Sequence, residues 1–503
     1  MKKMLVRSGQ APWDIVDPVE MMKRDTIGRN VGNFVYAYSV FRNLYSEDVD
    51  LVSDNYSTDI KKADYINENY DAYVLPLANG FRQSFIPTLR RYTALIKKLK
   101  IPVYVIGIGV QAPYEIDVKK GFSFDNDVKE FVSTVLDHSS MLGLRGQITS
   151  DYLSALGFKE GRDHTVIGCP SMYTFGDNIN IRSLNLTSES KINTSLTPSA
   201  SQNVVSFIHS LFDNYENACY IPQDTEELVM AYSGAPMYGG TAFQAKTFDY
   251  PSSINSKEYK EDRMKFFLSA KTWFDHVKQS DFNIGTRLHG NIVSTINGTP
   301  SISIPIDARM RELTEYHNLT RILPNEIKED DKLEDLIDRV DFRSAEKVHH
   351  RNFENFVSFL DENKIIHTYR ENTPGVPKHL DKRLENTDLL PPVTSITGVT
   401  SVSEIQKRIS HGFDDLRDKQ VTILNRQNAR EKKLKEEKAK LKKQNIQLNK
   451  KAAAPATDEV NLDVKTIVNL SEDIKIKNKV LSKKDAEIKA LKSKLSDIKS
   501  ILD

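Results

Sequence analysis

From Lys3 to Tyr369, short apolar runs that stop at glycine alternate with amphipathic helical stretches, and this alternation fixes the fold class. Asp71–Leu77 (DAYVLPL) and Pro102–Gly109 (PVYVIGIG) are apolar on both faces, the pattern of strands covered on each side. Lys3–Arg7 and Thr165–Ile167 read as further strands, the latter closing at Gly168. Gly28–Leu44, Phe85–Leu99, Val128–Leu136 and Thr149–Leu156 read as helices, with Gly157 capping the last. Strands that alternate with helices demand a parallel sheet with helices on both faces. Ser183–Ser201, rich in Ser, Thr and Asn, reads as a linker. The pattern then restarts, with Val204–Phe207, Ala218–Pro222, Asn283–Thr286 and Ser301–Pro305 as strands. Thr225–Tyr232, Met264–Val277 and Phe353–Tyr369 read as its helices. The expected architecture is α/β. Two Rossmann-like lobes, 1–182 and 202–372, flank a ligand cleft and are followed by a linker over 373–402.

The last hundred residues follow a different rule. Ile467, Ile474, Leu481, Ile488, Leu495 and Leu502 recur every seventh residue, and an earlier run from Phe413 through Leu434, Leu441 and Leu448 keeps the same period. Ala452–Asp458, with Pro455, separates the two. Such a seam predicts a coiled-coil tail over 403–503 and a homo-oligomer assembled through it. The tail also explains the charge. The whole chain carries +1, but Ser401–Asp503 holds 25 Lys/Arg against 16 Asp/Glu, so the remainder is acidic. A near-neutral chain with its basic excess on a coiled-coil exterior is not expected to bind nucleic acid. Two cysteines, Cys169 and Cys219, make no disulfide framework and no metal motif, so no metal is expected. The start MKKMLVRSGQAPWD lacks the apolar segment of a secretory leader, and no apolar run approaches the roughly 18 residues of a membrane span. The expected location is the cytoplasm, with the inner face of the membrane also compatible.

Chemistry concentrates in Asp281–Ile306, DFNIGTRLHGNIVSTINGTPSISIPI, which reads as strand, turn, helix, turn, strand. Arg287 and His289 fall where the turn becomes the helix. A helix start favours anions, an arginine adds a forked donor for phosphate or carboxylate, and a histidine exchanges protons near neutral pH. The plain alternative is that Arg287 caps a carboxylate and His289 packs beneath the sheet. Position at the carboxyl edge of a parallel sheet, where ligands of such folds bind, puts a functional role level with that alternative.

Several motifs in order carry a resemblance. Asn283–Pro300 (NIGTRLHGNIVSTINGTP), followed by IPIDARMRELTEYHNL, resembles the C-terminal signature of the polysaccharide pyruvyl transferase family. Asn30-Val31-Gly32-Asn33 resembles its early Asn-x-Gly-Asp turn, with Asn33 in place of the acid. Gly107–Gln111, Leu144-Arg145-Gly146 and Val166–Ser171 resemble its strand-end segments, with Cys169 where the family often has Asp. The resemblance covers roughly residues 1–330. It implies a two-lobed, glycosyltransferase-B-like fold. It also implies transfer of a pyruvyl group from phosphoenolpyruvate to a sugar of a cell-surface polysaccharide or its lipid-linked precursor, forming a ketal. Phosphoenolpyruvate is then a co-substrate and the glycan acceptor the second partner, with no further cofactor. On this reading His289 is the acid or base and Arg287 acts beside it. Arg145, Arg287, Arg309 and Gly290 bind the donor, while Asn30, Gly32, Gly109, Gln111 and Gln223 line the cleft.

Two other readings compete. A glycosyltransferase using a nucleotide-sugar shares the shape, but Gly107 and Gly109 are not followed by a full dinucleotide fingerprint. A non-catalytic scaffold that binds a glycan or metabolite and is assembled by the coiled coil would have no need of the Arg287/His289 pair. Acceptor choice depends on loops such as Gly234–Lys246, which carry no recognisable code. Truncation at about residue 400 is expected to leave a folded protein with fewer copies per particle by light scattering, and an unchanged number would contradict the coiled coil.

Overall fold

The computed structural model describes residues 1–235, 249–328, 330–371 and 376–452. In the first lobe, β1 (Lys2–Val6), β2 (Val49–Ser53), β3 (Ala72–Pro76) and β4 (Val103–Ile106) form a parallel sheet in the order β2-β1-β3-β4. Leu5 stands opposite Val52 on one side and Tyr73 on the other. β5 (Leu142–Leu144) and β6 (His164–Val166) pair in parallel, and the Ile108–Leu144 bridge ties them to the end of β4. In the second lobe, β7 (Ile192–Ser195), β8 (Cys219–Tyr220), β10 (Phe282–Gly285) and β11 (Ser301–Ser303) form a second parallel sheet, ordered β11-β10-β7-β8. A short antiparallel pair, β9 (Lys265–Phe266) with β12 (Val393–Thr394), lies beside it. All strands of β3 and β4 are buried on both faces, as their uniformly apolar sequence requires.

The helix Gly32–Leu44 joins the lobes. Twelve of its thirteen residues are buried. A helix apolar all round belongs inside a core. It packs on β2, β3 and the turn Pro170–Tyr173 of its own lobe, and on the helices Ala270–Lys278, Leu288–Ile296 and His379–Glu385. Tyr38 meets Phe274 edge-on at 5.1 Å. Arg42 is held by both oxygens of Asp381, at 3.0 and 2.7 Å. One continuous apolar core therefore runs through both lobes, and a second fills the outer face of the first sheet.

Five expectations need correction. The Ser183–Ser201 segment is no linker, because Ile192–Ser195 is a fully buried strand at the centre of the second sheet. Its polar residues mislead by composition: Asn193 finds partners inside, its Nδ2 donating to Ser280 Oγ at 2.9 Å, while the Thr194 and Ser195 hydroxyls are buried without one among the described residues. Val204–Phe207 belongs to the helix Gln202–Asn214, where Val204, Ile208 and Leu211 share the buried face at helical spacing. Met264–Val277 divides into β9 and the helix Ala270–Lys278. The linker expected over 373–402 carries, in its described part, the helix His379–Glu385 and β12. The helix expected at Phe353–Tyr369 spans Glu346–Glu362 and packs against β6 of the first lobe.

The first heptad run lies on one helix, Val402–Ala452, along which Phe413, Val421 and Ile446 are exposed. The Ala452–Asp458 break after its first residue, the second run Ile467–Leu502, and most of the Gly234–Lys246 loop lie outside the described residues.

His317 gives the fold a pH dependence. Its Nε2 accepts the backbone N–H of Cys169 at 2.9 Å, and its ring is walled by Tyr316 and Tyr173. Burial, with the nearby His349, pushes the imidazole down to about 3. The unfolded chain protonates this group near 6.5 while the folded one refuses the proton, so stability is lost as pH falls below 6.5 and continues to fall toward 3. The melting temperature is expected to drop steadily from about pH 7 to pH 4, and His317→Asn, less stable at neutral pH, to show a shallower drop.

Candidate functional site

At the carboxyl edge of the first sheet lies a cavity of about 470 Å³. Arg7 reaches it from just beyond β1, Leu77–Gly80 from beyond β3, Arg145 from beyond β5 and Cys169 from beyond β6. The second lobe contributes Leu288 and His289 from the start of the helix Leu288–Ile296, and Arg309 and Leu313 from the helix Ala308–Tyr316. Six arginines line this space (Arg7, Arg29, Arg82, Arg91, Arg145, Arg309) against one carboxylate, Asp25. Charge of one sign on low-dielectric walls concentrates anions.

The arginines divide by what they already hold. Arg145 is buried and spent. Its Nε donates to Glu312 Oε1 at 2.7 Å, Nη1 to Ala78 O at 2.6 Å and to Asn79 Oδ1, and Nη2 to Val110 O at 2.5 Å. Gly109 makes that seat possible, since a Cβ there would run into the guanidinium. Arg29 pairs with Glu226 across the lobes. Arg7 donates to Tyr92 Oη at 3.0 Å and Pro76 O at 3.2 Å and lies 4.7 Å above the Tyr56 ring. Arg82 donates to Asn79 O at 2.9 Å and Ser84 Oγ at 3.2 Å, and no carboxylate pairs with it among the described residues. Burial, with the charges of Arg309, Arg7 and Arg145, pulls Arg82 down to about 10. Arg309 has one loose contact to Asp307 at 3.5 Å, and its Nε is buried with no partner. An unpartnered buried donor is costly unless a ligand meets it.

His289 stands among these charges. Burial, then Arg309 and Arg145, push its imidazole down to about 3, so it is neutral near pH 7. Its Nε2 is buried and unpartnered. Tyr36 meets the ring edge-on at 6.4 Å, its own Oη anchored to Ile106 O at 2.8 Å. Gly32 holds the ring from the other side, where a Cβ would fall on Nδ1. The first turn of one lobe's central helix thus sets the imidazole of the other.

The remaining expected residues are distributed unevenly. Arg287 points away from the cavity. Its Nε donates to Leu196 O at 2.7 Å, Nη2 pairs with Asp224, and Glu227 is 3.7 Å away. Burial opposes its charge, but Asp224 and Glu227 outweigh that and hold it above its ordinary value. Two of the three arginines expected to hold the donor are therefore closely ion-paired already, because the second lobe supplies a carboxylate for each, Glu312 for Arg145 and Asp224 for Arg287. Asn30 lines the cavity and joins the lobes, donating to Asp224 Oδ1 at 2.8 Å while its Oδ1 accepts the Gly32 N–H at 2.9 Å. Gly290 and Gln223 are neighbours elsewhere. A Cβ on Gly290 would stand 3.3 Å from Gln223 Nε2, and neither residue lines the cavity. Gln111 is exposed and outside it. Arg7, Arg82, Arg91, Tyr36 and Tyr56 were not anticipated. Arg7 and Arg82 follow the ends of β1 and β3, the same carboxyl-edge signal that pointed to Arg287.

The family model described as polysaccharide pyruvyl transferase matches residues 30–307. No curated protein matches the chain. Among solved structures, S. aureus MnaA with UDP is 12% identical, with a TM-score of 0.38 over 75% of this chain and 99% of that one. UDP-GlcNAc 2-epimerase of Methanocaldococcus jannaschii with UDP-GlcNAc and UDP is 12% identical, TM-score 0.38, over 72% and 99%. The glycosyltransferase SnogD of Streptomyces nogalater is 10% identical, TM-score 0.29, over 72% and 98%.

The two kinds of arginine differ in what their loss costs. Arg145→Met strands Glu312 as an unpaired buried carboxylate and is expected to destabilise the fold by about 3–5 kcal/mol in urea denaturation. Arg309→Met removes one of several crowded like charges and is expected to leave stability unchanged within about 0.5 kcal/mol.

Proposed function

The chain belongs to the polysaccharide pyruvyl transferase family, and from that premise we propose that the arginine-lined cavity binds phosphoenolpyruvate and that His289 moves the protons of pyruvyl transfer to a sugar. The observation that carries this reading is a neutral imidazole with an unpartnered Nε2 on a cavity where Arg82 meets no carboxylate among the described residues and Arg309 keeps an unpartnered Nε. Phosphoenolpyruvate brings a phosphate and a carboxylate on a three-carbon frame, and Arg309, Arg82 and Arg7 supply fixed donors for both. Arg287 takes a positioning role instead, holding Asp224 and through it Asn30 and the Gly32 turn.

The proton traffic follows from charge. In the empty cavity burial, then Arg309 and Arg145, keep His289 neutral. The donor's negative charges offset the two arginines and raise the proton affinity of the imidazole, which enters the reaction protonated. The imidazolium then protonates the methylene carbon of the enol, while a sugar hydroxyl forms a bond to the adjacent carbon and returns its proton to the imidazole. A second hydroxyl of the same sugar displaces phosphate from that carbon, its proton leaving with the phosphate, and the cyclic ketal closes. The arginines that bound the donor stabilise the departing phosphate. The fold fits the two-lobed, glycosyltransferase-B-like description, and a coiled-coil homo-oligomer near a lipid-linked acceptor fits the tail.

Purified protein with phosphoenolpyruvate and candidate glycans is expected to release phosphate. His289→Ala is expected to abolish release while its circular dichroism and melting stay those of the parent. Release undiminished in the variant would remove His289 from the mechanism. No release with any acceptor, together with no thermal shift by phosphoenolpyruvate, would overturn the reading itself.

A further inference from the structure

The cavity has more cationic reach than the donor uses. A second cavity of about 470 Å³ adjoins the first, and the two share Thr58 and Arg91. Arg91 sits on the helix Ile86–Ile96, whose Leu89, Tyr92, Leu95 and Ile96 are buried, so the outward face carrying Thr88 and Arg91 is on a rigid mount. Its Nε donates to Thr58 Oγ1 at 3.0 Å and its Nη2 to Thr88 Oγ1 at 2.8 Å. Arg91 makes no ion pair among the described residues. Because both hydroxyl oxygens accept from the guanidinium, their own protons are free to donate, and Nη1 is free as well. Two hydroxyl donors and Nη1 are thus left open beside this cavity. Asp59 lines the second cavity as well, its Oδ1 capping the Lys61 N–H at 3.0 Å, and it does not pair with Arg91.

Arg91 also stands apart from the inner group. The charges acting on Arg82 are those of Arg309, Arg7 and Arg145. That inner group matches the two anionic groups of the donor, and Arg91 is left over.

We propose that the acceptor lies along Thr58, Thr88 and Arg91 and carries an anionic group of its own, a phosphate or a carboxylate, that Arg91 binds. This rests on the pyruvyl-transfer reading of the inner cavity. An anion fixed there places the sugar between the two cavities, with its hydroxyls toward His289 and its charged group outward. Arg91 is then a determinant of acceptor class, selecting glycans that bear a sugar phosphate, a glycosyl diphosphate or a uronate over neutral ones.

Calorimetric titration of the full-length protein and of Arg91→Gln tests this. Each is titrated first with phosphoenolpyruvate and then, with that site filled, with glucose 1-phosphate, UDP-glucose, glucuronate and methyl glucoside. Phosphoenolpyruvate is expected to bind both proteins alike. At least one anionic sugar is expected to bind the parent about tenfold more tightly than Arg91→Gln, with methyl glucoside indifferent to the change. Which anionic sugar responds identifies the source of the charge. Equal binding of all anionic sugars to both proteins, no binding of any to the parent, or loss of phosphoenolpyruvate binding in Arg91→Gln would each overturn the proposal. Failure of phosphoenolpyruvate to bind the parent would instead overturn the pyruvyl-transfer reading, and this assignment with it.

Discussion

Everything at the site hangs on the ion pair between Arg145 of the first lobe and Glu312 of the second. Both side chains are almost wholly out of water. Glu312 also accepts from Thr149, through its backbone N–H at 3.1 Å and its hydroxyl at 3.0 Å. A buried pair of this kind contributes little net stability when intact but is severely destabilising when halved, so its effect is to fix geometry rather than to add energy. The geometry it fixes is the one that matters. Glu312 stands one helical turn from Arg309, and Arg145 closes the base of the cavity.

The same logic sorts the other charges. Arg29 and Arg287, each facing a carboxylate, fasten the Asn30–Gly32 turn to the segment around Asp224. Arg82 faces the charge of Arg309 instead, and Arg309 keeps a buried Nε with no partner beside its 3.5 Å contact to Asp307. Compensated cations shape the cavity and uncompensated ones fill its electrostatic role. A neutral histidine between them is poised by its surroundings, because any anion that settles on the arginines also changes the histidine's proton affinity.

Much of this was legible from residue patterns. The strands DAYVLPL and PVYVIGIG announce burial on both faces, and the Asp281–Ile306 unit folds as its glycines and apolar spacing dictate. What escaped was polar. Ile192–Ser195 looks like a linker because Asn, Thr and Ser carry no hydrophobic signal, yet their backbone pairs with strands on both sides. Arg287 and Arg145 stand at the strand ends where they were sought, but direction is decided by partners remote in sequence: Asp224 lies 63 residues from Arg287 and Glu312 lies 167 from Arg145. Arg82 escaped for the opposite reason. No local motif distinguishes it; what marks it out is that it meets no carboxylate among the described residues.

The all-round burial of the helix Gly32–Leu44 has a thermodynamic consequence. Two lobes joined by a hinge commonly melt separately, each with its own transition. Here the apolar side chains of one helix belong to both cores at once, and parting the lobes exposes that helix to water before either sheet is disturbed. The lobes therefore share a single cooperative unit of unfolding, and the seat of His289 against Gly32 exists only while both are folded together.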